Sequence, residues 1–297
     1  MHAQDTAIGF VGTGVMGASM AGHLLDAGAD LHVTTRTQGK AQALIDRGAT
    51  WHGTPGGVAE ASTVVFTIVG FPPDVESVYL GDDGLLAHAK PDTYFVDMTT
   101  SSPALAKAIA DRAAKHGCFA LDAPVSGGDR GAREAKLSIM VGGDRAAFDR
   151  VRPLLDIMGA NIVYQGPAGS GQHCKMCNQI AIASGMLGVC ESLAYAERAG
   201  LDPRTVLESI SAGAAGSWSL SHLAPRILDG DFEPGFFVKH FIKDMTIASE
   251  SGDRMGLELP GLATALAMYE KLAGKGLGDK GTQALFELYD DQDLDDA

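Results

Sequence analysis

Residues 7–17 read Ala7-Ile8-Gly9-Phe10-Val11-Gly12-Thr13-Gly14-Val15-Met16-Gly17. A short apolar run leads into G-x-G-x-x-G, and a helical pattern over 15–27 follows. Three spaced glycines alone say little. Between a strand and a helix they form the turn that receives a dinucleotide. Gly12 permits the tight turn, Gly14 leaves room for a pyrophosphate, and Gly17 lets helix and strand pack. The helix start offers N–H groups and a partial positive charge to the phosphates. Gly12, Thr13, Gly14, Val15, Met16 and Gly17 are therefore the candidate cofactor-binding residues. The plainer alternative is a glycine-rich turn without a ligand.

Outward from this turn, the first half alternates short apolar runs with helical patterns. Strands are expected at 7–11, 31–35, 64–69, 94–97, 119–121, 138–141 and 162–164, and helices at 15–27, 40–47, 73–79, 103–116 and 145–158. Such alternation predicts a mostly parallel sheet covered on both faces. The second half changes character. A long helical pattern over 171–199 is followed by helical patterns at 203–211, 219–228, 240–255 and 261–272, with no convincing strand. The expected fold is an α/β Rossmann domain over 1–167, then an all-helical domain over 168–297 that includes a long connecting helix. The boundary falls in Gln165-Gly166-Pro167-Ala168-Gly169, a Gly/Pro cluster.

Composition narrows the class. The 297 residues suit two ordinary domains, and 45% hydrophobic with 20% charged residues suits a globular chain with a sizeable core. The formal net charge of −14 argues against nucleic acid and anionic membranes as partners. Asp290, Asp291, Asp293, Asp295 and Asp296 read as a solvated, mobile end. No uncharged run of 18 apolar residues and no secretory signal is seen, so a cytoplasmic protein is expected. Cys118, Cys174, Cys177 and Cys190 are too few for a disulfide scaffold. Cys174 and Cys177 form a lone C-x-x-C inside a predicted helix, where packing explains them better than redox chemistry or zinc. No metal-binding spacing is present, and no metal is expected.

At the end of the second strand, an NAD-selective site usually carries an acidic residue for the ribose 2′-hydroxyl. Here the residues are Thr34-Thr35-Arg36-Thr37. Arg36, with Thr37 beside it, can pair with a 2′-phosphate, which favours NADP. An arginine stacked on the adenine would admit NAD as well.

Two further segments carry chemistry. Asp122-Ala123-Pro124-Val125-Ser126-Gly127-Gly128 follows the strand at 119–121. Ser126, Gly127 and Gly128 can present a hydroxyl and successive N–H groups to a carboxylate; a simple turn is the alternative. Gly169-Ser170-Gly171-Gln172-His173-Cys174-Lys175-Met176-Cys177-Asn178-Gln179 opens the long helix. Lys175 shares a helix face with Asn178 and Gln179. An ammonium beside an amide suits carbonyl reduction, which needs a proton donor near the developing oxyanion and a dipole to orient the substrate. Without such a context a helical lysine is usually a solvated surface group.

Together these segments resemble the β-hydroxyacid dehydrogenases, the family of 3-hydroxyisobutyrate dehydrogenase, tartronate semialdehyde reductase and the glyoxylate/succinic semialdehyde reductases. The resemblance covers nearly the whole chain in order: 12–17, 122–128, 169–179, then Lys243-Asp244-Met245-Thr246-Ile247-Ala248. It implies Lys175 as catalytic acid/base and Ser126, Gly127 and Gly128 as the substrate-carboxylate site. It also implies Lys243 as a contact to cofactor and substrate, Asp244 as its support, Thr99 against the cofactor ribose, and a homodimer or homotetramer. One position departs: the family usually has asparagine where this chain has Gln179, and Asn178 precedes it, so either amide can orient the substrate.

Three other features bear on the site. Trp218 is a candidate wall for the substrate, with a core tryptophan equally consistent. Arg130 and Arg133 can hold a second carboxylate, although solvated arginines are the commoner case. His173 and His240 flank the two lysines and are expected to pack or face solvent. The expected reaction is hydride transfer between a nicotinamide and a small 3-hydroxy acid or semialdehyde. The alternatives are an imine reductase-like enzyme, disfavoured because an ammonium sits poorly beside an iminium, and a non-catalytic NADP(H)-binding sensor, which needs no lysine–amide pair. A phospho-sugar acid oxidoreductase would need a basic cluster, and none is evident in the helical half.

Overall fold

The computed structural model describes residues 1–290. The acidic tail at Asp291, Asp293, Asp295 and Asp296 lies outside the described residues. Backbone contacts divide the chain into two units, Met1–Lys175 and Met176–Ala297.

The first unit carries β1 (Ala7–Val11), β2 (Asp30–Thr34), β3 (Thr50–Trp51), β4 (Val64–Thr67), β5 (Tyr94–Asp97), β6 (Phe119–Asp122), β7 (Val125–Ser126), β8 (Leu137–Gly142) and β9 (Gly159–Gly166). They form one sheet in the order β3-β2-β1-β4-β5-β6-β8-β7, with β9 pairing with β8. From β3 to β6 every pairing is parallel. β8 then runs antiparallel to β6 and β7 and parallel to β9. β2 and β3 lie on one side of β1, and β4 to β6 on the other. The chain thus switches direction across the sheet at β1, where open α/β sheets bind ligands beyond the strand ends.

The near-continuous apolar runs follow from burial on both faces. Ile8, Phe10, Val64, Phe66, Tyr94 and Val96 pack into one core. Val11, Val65 and Phe95 point the other way into a second. The expected mostly parallel, two-sided sheet is the one observed.

Short elements escape the sequence pattern. β3 and β7 are two residues long, too short to show a period. The helix Pro55–Ala61 was not expected, because Pro55-Gly56-Gly57 reads as a turn. It forms with proline in the first turn and with the Thr54 hydroxyl accepting the Gly57 N–H. It packs on β1 at Gly9, where a Cβ would lie 2.5 Å from Val58. Helices Leu85–His88 and Gly128–Arg133 are also additions.

In the second unit the long helix Ser170–Arg198 continues from its start in the first, and helices follow at Pro203–Ser211, Trp218–His222, Ala224–Leu228, Val238–Arg254 and Pro260–Leu272. The single helix expected over 219–228 is two. Pro225, in the first turn of the second piece, cannot donate a backbone hydrogen bond to the preceding turn. The core gathers Met186, Leu193, Phe241, Met245 and Tyr269. Among the described residues of this half, β pairing is limited to an isolated bridge between Phe237 and Gly281. The long helix, although Lys175 and Glu191 interrupt its apolar run, is long and apolar enough to cross a membrane by length and composition alone. Half of that stretch is buried in the protein. Polar Gln172, Lys175 and Gln179 are among its buried side chains, as in a core helix.

Candidate active site

The turn after β1 has the three properties the glycines require. Gly12 has φ +98°, and a Cβ there would lie 2.1 Å from the Ile68 carbonyl oxygen. A Cβ on Gly17 would lie 2.0 Å from the Gly12 carbonyl oxygen, so helix and turn meet backbone to backbone. Gly14 has nothing within 4 Å of its Cβ position and leaves open space above the turn. The helix Gly17–Asp26 has no side-chain cap. Thr13 is buried and its Oγ1 has no hydrogen-bond partner. An orphaned hydroxyl and uncapped helix amides around an open glycine fit a dinucleotide pyrophosphate. Val15 and Met16 complete the turn, Val15 being exposed.

At the end of β2, Arg36 is 88% exposed and 3.6 Å from the Asp74 carboxylate. Thr37 is exposed beside it. Across the sheet, Thr99 is buried in the loop after β5. Its hydroxyl accepts the Val69 N–H at 3.0 Å, and its own N–H donates to Asp97 at 3.1 Å. Thr99 thus binds the loops after β4 and β5 together.

The long helix is anchored in the same network. Asp122, the last residue of β6, is 4% exposed. One carboxylate oxygen accepts the Gly169 N–H at 2.7 Å and the other the Gln172 N–H at 2.8 Å. Burial pushes the Asp122 carboxyl up to about 6, against the downward pull of the Gly169 and Gln172 amides. The fully buried Gln172 side chain donates to the Thr99 carbonyl at 2.7 Å and accepts the Ser101 N–H at 2.9 Å. Lys175, on the next turn, is 7% exposed, so it is no solvated surface lysine.

Ser126 is half-buried on β7, opposite Ser138 of β8. Gly127 (φ +130°) and Gly128 (φ +62°) follow, both in conformations that favour glycine, and lead into Gly128–Arg133. Arg130 and Arg133 form exposed i,i+4 ion pairs with Glu134 and Asp129, the surface role expected.

The second unit has its own polar chain. The Asn178 amide donates to Gln179 Oε1 at 2.7 Å, and Gln179 Nε2 donates to Asp244 at 2.6 Å. The other Asp244 oxygen lies 3.0 Å from Lys243 Nζ. Gln179 and Asp244 are buried, and Asn178 is half-buried. The Gln179 amide is therefore engaged at both its oxygen and its nitrogen. Burial, then the Lys243 ammonium, pull the His240 imidazole below its usual range. His173 faces solvent. Trp218 is 61% exposed and stacks on His222, which rules out the core alternative. Packing explains buried Cys118 and Cys190 but not Cys177, which is exposed on the long helix.

Comparison with known proteins matches residues 7–166 to the model for the NAD-binding domain of 6-phosphogluconate dehydrogenase. Residues 169–289 match the NAD-binding model of NADP-dependent 3-hydroxyisobutyrate dehydrogenase. A probable mitochondrial 3-hydroxyisobutyrate dehydrogenase-like protein of Arabidopsis thaliana is 52% identical over 95% of this chain and 84% of its own. The chain belongs to the β-hydroxyacid dehydrogenase family. The 2-hydroxy-3-oxopropionate reductase of Escherichia coli is 40% identical over 91% of this chain and 92% of its own. The 3-hydroxyisobutyrate dehydrogenase of Mycobacterium tuberculosis, solved with L-serine, superimposes with a TM-score of 0.88 at 30% identity, over 95% and 98% of the two chains. As a member of this family the chain is an NAD(P)-dependent oxidoreductase with a Rossmann domain.

The sequence reading quotes Asp122 and Gln172 without giving either a role and passes over Asp97. The available signal was a charged residue closing an apolar strand, a position where burial demands a partner.

The glycines give a paired prediction. Gly14→Ala is expected to unfold at the wild-type urea midpoint while weakening cofactor binding, whereas Gly17→Ala lowers the midpoint as well, by about 1–3 kcal/mol of stability. Equal midpoints for the two variants would contradict the packing described. For the second unit, Gln179→Leu leaves one Asp244 oxygen without its donor and is expected to cost about 1–3 kcal/mol in urea denaturation. An unchanged midpoint would mean that the Gln179–Asp244 bond contributes nothing.

Proposed function

We propose that this protein moves a hydride between NADP(H) and a small 3-hydroxy acid or its semialdehyde, with Lys175 as general acid/base. The observation that carries the reading is a lysine held in the interior, one turn beyond a helix start tied to Asp122, Thr99 and Ser101. A buried amine with a fixed backbone suits proton transfer; a solvated one on a mobile stem does not.

In this reading Gly12, Thr13, Gly14, Val15, Met16 and Gly17 hold the pyrophosphate. Arg36 and Thr37 take the adenosine 2′-phosphate, and Thr99 and Lys243 make further cofactor contacts. When bound, the nicotinamide supplies the hydride in reduction or accepts it in oxidation. Ser126 with the amides of Gly127 and Gly128 binds the substrate carboxylate. As the carbonyl carbon gains hydride, the Lys175 ammonium gives its proton to the carbonyl oxygen and is left neutral; in oxidation the neutral amine takes the hydroxyl proton. Asn178 is the better candidate to orient the substrate oxygen, because it is half-buried, whereas Gln179 is fully buried with its amide bonded at both oxygen and nitrogen. Asp244 supports Lys243, and exposed Trp218 is a candidate substrate wall. The names of the Escherichia coli reductase and of the serine-bound Mycobacterium tuberculosis dehydrogenase support a short hydroxylated or oxo acid as substrate.

The deciding assay is NADPH oxidation with glyoxylate, succinic semialdehyde, tartronate semialdehyde and methylmalonate semialdehyde. Lys175→Ala should lower kcat by roughly 10²–10⁴-fold with cofactor binding retained. Unchanged turnover removes Lys175 from the chemistry. Turnover of cyclic imines alone would favour the imine reductase reading, and binding without turnover a sensor. Arg36→Ala should weaken NADPH about 10-fold or more while sparing NADH; equal loss for both cofactors would overturn the 2′-phosphate role.

A further inference from the structure

We propose that Asp122 is the positioning residue for Lys175: its buried carboxylate locks the start of the long helix to the end of β6, and so to the Ser126–Gly128 turn that follows it. The proposal rests on the reading of Lys175 as the proton donor.

The lock has two points. One carboxylate oxygen takes the Gly169 N–H, just before the helix, and the other takes the Gln172 N–H inside its first turn. A single acceptor would let the helix start pivot, whereas two acceptors on a rigid carboxylate fix both its axial position and its rotation. The surroundings are shaped for this group. A Cβ on Gly142 would lie 2.6 Å from the carboxylate, and one on Gly171 2.9 Å from it. Gly171 has two further close neighbours, the carbonyl oxygens of Met140 and Asp122. Gln172 adds a second tether through Thr99 and Ser101. A helix rises only 1.5 Å per residue and is stiff over one turn, so a shift at Gln172 reaches Lys175 almost undiminished.

Protonation would open the lock. A neutral carboxyl turns one acceptor oxygen into an O–H, which cannot accept from a facing N–H as a carboxylate oxygen does. Burial pushes the Asp122 carboxyl up to about 6, so this happens as pH falls through that region rather than in the ordinary carboxylate range. The titratable neighbour on the adjoining strand is Asp97, in register with Asp122 across β5 and β6. On the helix, the titratable residues after Gln172 are the exposed His173, the half-buried Cys174 and the buried Lys175. β8 contributes Gly142, which has no charge.

The test uses the full chain and two readouts. Hydrogen exchange, corrected for intrinsic chemical rates, should show the amides at 172–176 protected at pH 7.5 and about 10-fold less protected at pH 5.5. In Asp122→Asn they should be poorly protected at both values while β1 and β4 stay protected. With whichever semialdehyde of the panel the wild type reduces fastest, Asp122→Asn should lose roughly 10–100-fold in kcat, with KM and NADPH affinity little changed. The wild-type kcat profile should fall on the acid side near pH 6, and the variant should lack that limb. Unaltered exchange in the variant overturns the lock. Altered exchange with unaltered kcat overturns its role in positioning Lys175. If Asp122→Asn does not fold, the wild-type exchange series decides alone, and pH-independent protection at 172–176 overturns the proposal. Failure of the parent reading is seen separately, as unchanged turnover in Lys175→Ala while exchange still responds to pH.

Discussion

A buried backbone N–H must find an acceptor, and at the carboxyl ends of β4, β5 and β6 side chains meet that obligation. Thr99 accepts from Val69, Asp97 from Thr99, Gln172 from Ser101, and Asp122 from Gly169 and Gln172. These bonds join three loops and a helix start in a region with little solvent. The arrangement has a cost, since a carboxylate there is disfavoured enough for its pKa to rise. An apolar solution would pack more cheaply but would leave the helix amides unsatisfied and the helix free to slide. The polar solution gives up some stability for a defined backbone position one turn before Lys175.

The second unit solves a similar problem differently. Its core is apolar around Phe241, Met245 and Tyr269, and one polar chain from Asn178 through Gln179 and Asp244 to Lys243 is embedded beside it. The buried Asp244 is balanced by an ammonium and an amide donor, as buried charge requires. The departure from the family's asparagine at Gln179 thereby acquires a physical meaning: this side chain joins Asn178 to Asp244 and has neither end of its amide idle.

The sequence disclosed the fold wherever one physical demand selects one residue. Gly12, Gly14 and Gly17 each answer a different steric requirement, and the apolar runs at β1, β4 and β5 are long enough to show two-sided burial. Thr50–Trp51 and Val125–Ser126 carry no period, and the capped helix at Pro55–Ala61 begins with residues that ordinarily make turns. For the candidate site, Lys175 and the Ser126–Gly128 turn could be nominated from sequence because proton donors and anion nests have few chemical solutions. Asp122 was not, because its partners lie 47 and 50 residues along the chain and only folding makes them neighbours. Trp218 shows the reverse limit: a large aromatic surrounded by small residues reads equally well as core or surface, and here it stacks on His222 in the open.

β1 is made before the other strands of the sheet, yet it lies between β2 and β4. During synthesis it emerges with both hydrogen-bonding edges bare. One edge is covered when residues 30–34 arrive, the other only when residues 64–67 do. In that interval an apolar, unpaired strand is available to any other extended chain nearby. The strand that organises the dinucleotide turn is thus also where a nascent chain has the longest wait for protection, and the sheet must grow outward from its oldest member in both directions.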